Sequence, residues 1–280
     1  MSTTQTLALG AIAGFTIFLG LPMARLRNLP HGVGVALNAL ATGILIFLFW
    51  DVVSHGVGPV ETHLQAHEWG TFAGYVALLS VGFAAGMMGL VYYDRWLKNK
   101  RATPLVGPGA AAMDEFRSRS WFETLTPGRR LALLIATGIG LHNFGEGLAI
   151  GQSAAAGEVS LALVLIIGFG LHNATEGFGI VGPMSREADR PGWGFLALLG
   201  LIGGGPTFAG TLVGQAWVSE AVAVAFFALA AGSILYVVQE LLHLNRKSGF
   251  PVLVTWMLLL GLCLGFATDF VLEAAEVAVG

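Results

Sequence analysis

The chain has 280 residues, 55% of them hydrophobic and only 11% charged, with a formal net charge of −3. An average soluble domain carries about 25% charged residues, so 14 Lys and Arg plus 17 Asp and Glu cannot cover a water-facing globule of this size. Together with a mean hydropathy of +0.74, this excludes an ordinary cytosolic protein, a disordered chain and a nucleic-acid binder with a basic face.

Eight apolar runs follow one another along the chain, each near the 20 or so residues that a bilayer core demands of a helix. The first covers 6–24 and has no basic segment before it, so a cleaved signal peptide is not expected. The second covers 31–50 and continues past Asp51 to His55, and the third covers 69–93. A long connection, 94–130, is rich in Pro and Gly and reads as a flexible loop. The fourth run, 131–157, is interrupted only by Glu146, and the fifth, 159–185, only by Glu176. The last three, 191–219, 221–239 and 248–268, carry no charge. The expected fold class is an all-α integral membrane protein of eight transmembrane helices. It forms one transporter-sized unit over 1–280, without a separate soluble domain. The runs are too long, and lack the alternation, for a transmembrane β-barrel. The 40 glycines, about twice the usual share, suit helices that pack closely in a membrane. The single cysteine, Cys263, excludes an intramolecular disulfide framework and a Cys-based zinc motif.

Placing the charges on this threading gives an orientation. All 14 basic residues fall on one side: Arg25 and Arg27, the eight between the third and fourth helices, Arg186 and Arg190, and Arg246 and Lys247. The positive-inside bias makes that side cytoplasmic, with the 94–130 loop inside and both termini outside the cytoplasm. The expected location is a cell membrane, inner or plasma. The opposite side is acidic, with Glu61, Glu68, Glu158, Glu220, Glu273 and Glu276, and with Asp51 and Asp269 near helix ends. Such a face either concentrates cations at an entrance or simply keeps that surface soluble.

The chemistry lies in the fourth and fifth helices. One reads His142-Asn143-Phe144-Gly145-Glu146-Gly147, and the other His172-Asn173-Ala174-Thr175-Glu176-Gly177, an internal repeat at an offset of 30 residues. His and Glu at i, i+4 share a helix face, with Asn rotated by about 100°. Two such helices facing each other would gather two imidazoles, two carboxylates and two amides near mid-membrane. A charge there must be paired or bound to metal, and no Lys or Arg lies within any run. Imidazole and carboxylate suit Zn²⁺, and also Fe²⁺ and Mn²⁺. A proton relay without metal is the next reading, and helix–helix hydrogen bonding the plainest. No His-Glu-x-x-His, Gly-x-Ser-x-Gly or Walker sequence occurs, so hydrolysis fits poorly and the chain reads as no enzyme.

The paired motif resembles the signature helices of the ZIP (Zrt/Irt-like) divalent metal transporters, most closely the bacterial GufA-like branch. Ala41-Thr42-Gly43-Ile44 and the stretch from Ala230 to Leu241 are similar to that family's second and seventh helices. The resemblance implies a ZIP-type bundle and uptake of a divalent metal into the cytoplasm, zinc first, with Fe²⁺, Mn²⁺, Cd²⁺ or Co²⁺ as other candidates. By position it makes His142, Glu146, His172 and Glu176 the principal ligands, with Asn143 and Asn173 bordering them. It puts Glu240 on a cytoplasmic exit route, with His243 three residues on; otherwise these are a helix end among headgroups. The implied partners are the metal ion, the lipid bilayer and a second copy in a homodimer, and no nucleic acid.

The departures from the family pattern concern Pro, Glu and His. Gly145 and Thr175 stand where the family usually has Pro, and Gly205 stands before Pro206 where it often has Glu, so one strong site is expected rather than two. Residues 94–130 contain no His, whereas many members have a His-rich loop. Asp51 and His55, at the outer end of the second helix, form with His63 and His67 either a capture site or a solvated polar loop. The rival functions are a proton-coupled carrier of another solute, and a non-transporting membrane metal sensor or structural subunit. His172→Ala or Glu176→Ala is expected to abolish ⁶⁵Zn uptake while the protein still reaches the membrane; near wild-type uptake by both would remove the site assignment.

Overall fold

The computed structural model describes residues 2–26, 30–99, 121, 125–157, 159–185, 187, 189–217 and 219–279. Eight α-helices run in chain order: α1 (Thr3–Phe15), α2 (His31–Gln65), α3 (Trp69–Asn99), α4 (Pro127–Ala155), α5 (Val159–Val181), α6 (Trp193–Ala216), α7 (Glu220–Arg246) and α8 (Pro251–Val279). No strand occurs among the described residues. All but α5 pass as spans on length and apolarity, α1 together with the 3₁₀ turns that follow it. The 23 residues of α5 reach about 35 Å at 1.5 Å per residue, enough for a hydrocarbon core of about 30 Å. The chain is an all-α, multi-pass membrane protein.

Local signals set several helix starts. Ser2 forms a capping box with Gln5, Thr126 caps α4 ahead of Pro127 at the first helical position, and Ser219 caps α7. Each satisfies amides that a helix start leaves without partners. The first span is not one regular helix. After Phe15 it tightens into 3₁₀ turns at Thr16–Leu19 and Leu21–Arg25, where Pro22 has no amide to donate. There the backbone of Ile17 and Gly20 lies directly against Gly177 of α5.

The second helix also differs from its expected extent. It continues through Pro59 to Gln65, about three turns past Asp51 and His55. His63 is therefore a helical residue rather than part of a loop. Its Nδ1 lies 2.8 Å from Glu68 Oε2, and its Nε2 lies 3.6 Å from Glu220 Oε1 at the start of α7. A tight turn at Ala66–Glu68 joins α2 to α3, with His67 in the left-handed region at φ 60°. On the basic side Asp94 and Arg130 belong to α3 and α4. Most of the expected 94–130 loop lies outside the described residues.

The helices pack in two groups. In one, α4 lies along α6, and α1 packs on α5 and α6; in the other, α3 lies along α7, and α2 on α7 and α8. Glycines let backbones touch inside both groups. Gly147 and Gly151 of α4 abut the backbone of Thr207 and Thr211, while Gly210 and Gly214 of α6 abut that of Phe144 and Leu148. Gly86 against Leu229 does the same for α3 and α7, and Gly43 against Gly261 for α2 and α8. With lipid as solvent, such close contact supplies much of the attraction between helices. The groups meet where α4 touches α7, and where α5 touches α2 and α8.

Gly147→Leu would drive a side chain into the α6 backbone, which cannot rotate away. Overpacking of this kind costs about 1–3 kcal/mol when neighbours can adjust, and more is expected here. The expected result is a lower Tm in detergent and a reduced folded yield, measured against Gly179→Leu, whose position is open.

Candidate metal site

The paired motif occupies the middle of α4 and α5. His142, Asn143 and Glu146 on α4, and Asn173 and Glu176 on α5, are all buried, Glu146 at 4% and Glu176 at 1% exposure. His142 Nε2 lies 3.2 Å from Glu146 Oε1, one helical turn away. The Asn143 amide donates to Glu176 Oε2 at 3.1 Å and to the Gly203 carbonyl of α6 at 3.0 Å. Asn143 thus ties the two motif helices to each other and to α6. The Asn173 amide donates to the Ala13 carbonyl of α1 at 3.2 Å. His172 lies on α5, but its side chain falls outside the described residues.

These groups form a buried cluster rich in acceptors. Glu146 Oε2, Asn143 Oδ1 and Asn173 Oδ1 are buried oxygens without a hydrogen-bond partner among the described residues. Buried acceptors are normally satisfied, and a cation would satisfy several at once. His, Cys, Asp and Glu side chains do not gather in threes at ligand distance among the described residues. Here the described donors are a His142–Glu146 pair on one turn and a Glu176 held by Asn143. Both α4 and α5 stay helical through Gly145 and Thr175. Gly145 has a packing reason of its own: the Phe227 ring occupies the space a side chain would need.

A cavity of about 330 Å³ runs from the side of the termini down to Glu146. Its walls bring together Asp51 and His55 of α2 with Asp269 and Glu273 of α8. His55 Nδ1 lies 3.3 Å from Asp51 Oδ1, and its ring lies 5.5 Å from that of Phe227. Asp269 and Glu273 were not among the site residues expected from the sequence, although their i, i+4 spacing mirrors that of Asp51 and His55. His63 and His67 are not part of this wall.

A second cavity, of about 240 Å³, opens near the basic ends of the helices. It is lined by Asp94, Arg130, Leu134, Glu240 and His243, among others. None of the described motif side chains lines it. On α4, Leu134 and Glu146 are twelve residues apart, about 18 Å, and the stretch between them carries Ile135 and Ile139, both fully buried. Gly205 borders neither cavity. It lies on an apolar groove of about 490 Å³ with Leu141, Phe144 and Phe226.

Apolar spanning helices with polar and charged groups buried at their centre are the construction of a multi-pass membrane transporter. The family profile described as ZIP zinc transporter matches residues 118–273, more than half of the chain and including both motif helices, and the chain belongs to that family. It is a family of divalent metal transporters and not of enzymes. Comparison with curated proteins gives no match.

Asn143→Ala removes both amide hydrogen bonds. A hydrogen bond to a charged group is worth about 1.5–3 kcal/mol, and 1.4 kcal/mol is a factor of ten. Initial uptake, normalised to the amount of protein in the membrane, should fall by about tenfold or more. Unchanged uptake would show that Asn143 does not position Glu176.

Proposed function

We propose that this chain carries Zn²⁺ into the cytoplasm through a single principal site made by His142, Glu146, His172 and Glu176. Asn143 borders the site and positions Glu176, and Asn173 borders it from α5. The observation that carries the reading is the cavity that joins Asp51, His55, Asp269 and Glu273 to Glu146. Acidic walls raise the local concentration of cations, and this one ends on a buried carboxylate. Asp51 and His55 form the entrance, and Glu240 and His243 the exit. The site communicates with the side of the termini and is separated from the basic side by Ile135 and Ile139, the arrangement of an outward-open carrier.

Orientation follows from charge. The basic residues mark the cytoplasmic face, so the acidic cavity opens outside and both termini lie there, in a plasma or inner membrane. Zinc is favoured because imidazole and carboxylate are its usual ligands, while Fe²⁺, Mn²⁺, Cd²⁺ and Co²⁺ are competitors that the same ligands accept. With Gly205 on an apolar groove, a second metal lacks the carboxylate that the family often supplies there.

The test is metal uptake by proteoliposomes containing only this chain, with competition by the other four ions and element analysis of the purified protein. Zinc flux with bound metal near one equivalent is expected. Absence of retained metal would favour a proton-coupled carrier of another solute, and retained metal without flux a sensor or structural subunit. The ligands bind as carboxylates and neutral imidazoles, so binding releases protons. Metal affinity should therefore fall as the pH is lowered, and an affinity that rises on acidification would exclude these ligands.

A further inference from the structure

Near the end of α2 the two ring nitrogens of His63 face two carboxylates at two different distances. Nδ1 lies 2.8 Å from Oε2 of Glu68, just before α3. Nε2 lies 3.6 Å from Oε1 of Glu220, in the first turn of α7. The first separation is that of an N–H donating to a carboxylate, and it puts the ring proton on Nδ1. The second is too long for a hydrogen bond, and Nε2 is a buried nitrogen without a hydrogen-bond partner among the described residues. With the proton on Nδ1, a nitrogen lone pair and a carboxylate oxygen face each other, and only positive charge between them reconciles the two. A proton on Nε2 would draw Glu220 in to hydrogen-bond distance, as Glu68 is on the other side. Ligands about 2.1 Å from a zinc ion at the tetrahedral angle lie about 3.4 Å from each other, close to the 3.6 Å seen here. A carboxylate on the other ring nitrogen is the usual support of a metal-binding histidine, because it fixes the tautomer and raises the basicity of the ring. The Tyr75 ring, 4.8 Å from that of His63 between centroids, holds the imidazole from a further side.

We propose that His63 Nε2 and Glu220 are the protein ligands of a peripheral divalent-cation site, with Glu68 fixing His63 and water completing the coordination. Glu220 is about half exposed, so water reaches the ion. An imidazole ligand selects Zn²⁺ and its neighbours over Mg²⁺ and Ca²⁺. The bound ion fastens the end of α2 to the start of α7. Two protein ligands hold an ion less firmly than four, so this one exchanges with the medium and is lost on purification. The site is distinct from the entrance: His63 stands eight residues beyond His55, about 12 Å along α2, and His63, Glu68 and Glu220 do not line the cavity that reaches Glu146.

The test is ¹⁵N NMR of the purified full-length protein labelled at histidine, with the His63 signals identified by their loss in His63→Gln. In metal-free protein, buffered above the ordinary histidine pKa of about 6.5, Nδ1 should carry the proton and Nε2 should not. Zn²⁺ should shift the Nε2 signal in a saturable way, and excess Mg²⁺ should not. Glu68→Gln should weaken this binding by about 10–100-fold, the usual effect of losing an outer-shell partner, and Glu220→Gln at least as much. Asp51→Asn combined with Asp269→Asn alters the entrance wall and should leave the His63 response unchanged, which separates the two places of binding. An Nε2 signal that Zn²⁺ does not move, or an Nε2 proton that it does not displace, overturns the proposal. So does a response that survives Glu220→Gln at full strength, or one that disappears in the entrance variant.

Discussion

The backbones of α4 and α6 touch, and the motif depends on that contact. Glycines on both helices, Gly147 and Gly151 on one and Gly210 and Gly214 on the other, leave no side chain between them. Helices separated by ordinary side chains lie about 8–10 Å apart. At that distance the short side chain of Asn143 would not meet a carbonyl on α6. Here it donates to Gly203 and, with its other hydrogen, to Glu176 on α5. Packing thus becomes chemistry: a seam without side chains fixes an amide, and the amide fixes a carboxylate.

On the proposed reading, the two cavities divide the work of a transport path. One brings acidic side chains of α2 and α8 together with Glu146 of α4, and so lies between the two helix groups. The other collects charged residues of α3, α4 and α7 at the opposite end. Fully buried apolar residues of α4 stand between them. A hydrated cation would have no favourable route through that stretch while the helices stay as they are, because unpaired charge in such surroundings is costly. On that reading, movement of metal across it goes with a shift of the helix groups against each other.

Much of this was legible from the chain alone. Absence of charge marked the runs, Lys and Arg marked one face, and the 30-residue repeat picked out His142, Asn143, Glu146, His172, Asn173 and Glu176. The relations that cross between helices were not legible. The partner of Asn143 lies sixty residues away on α6, and that of Asn173 lies 160 residues away on α1. Asp269 and Glu273 looked like helix-end acids until α8 was seen beside α2. The last three or so turns of α2 were missed because the run was followed only to His55, whereas the helix continues through Pro59 to Gln65. The change to 3₁₀ after Phe15 is a tertiary effect, coinciding with the approach of Ile17 and Gly20 to Gly177. Arg130 counted as one more basic loop residue, since nothing in its sequence neighbours distinguishes it from Arg129.

Gly205 changes meaning once its surroundings are known. By the resemblance, with Pro206 beside it, it stands where the family often has a Glu. In space it borders an apolar groove, and a side chain added there would meet nothing within 4 Å. Restoring a carboxylate at 205 would be sterically cheap, yet it would set the charge among Leu141, Phe144 and Phe226 instead of beside Glu146. A carboxylate at 205 alone would therefore add no ligand to the motif. A designer seeking a second metal would have to rotate α6 about its axis, and the glycine contacts with α4 resist that rotation.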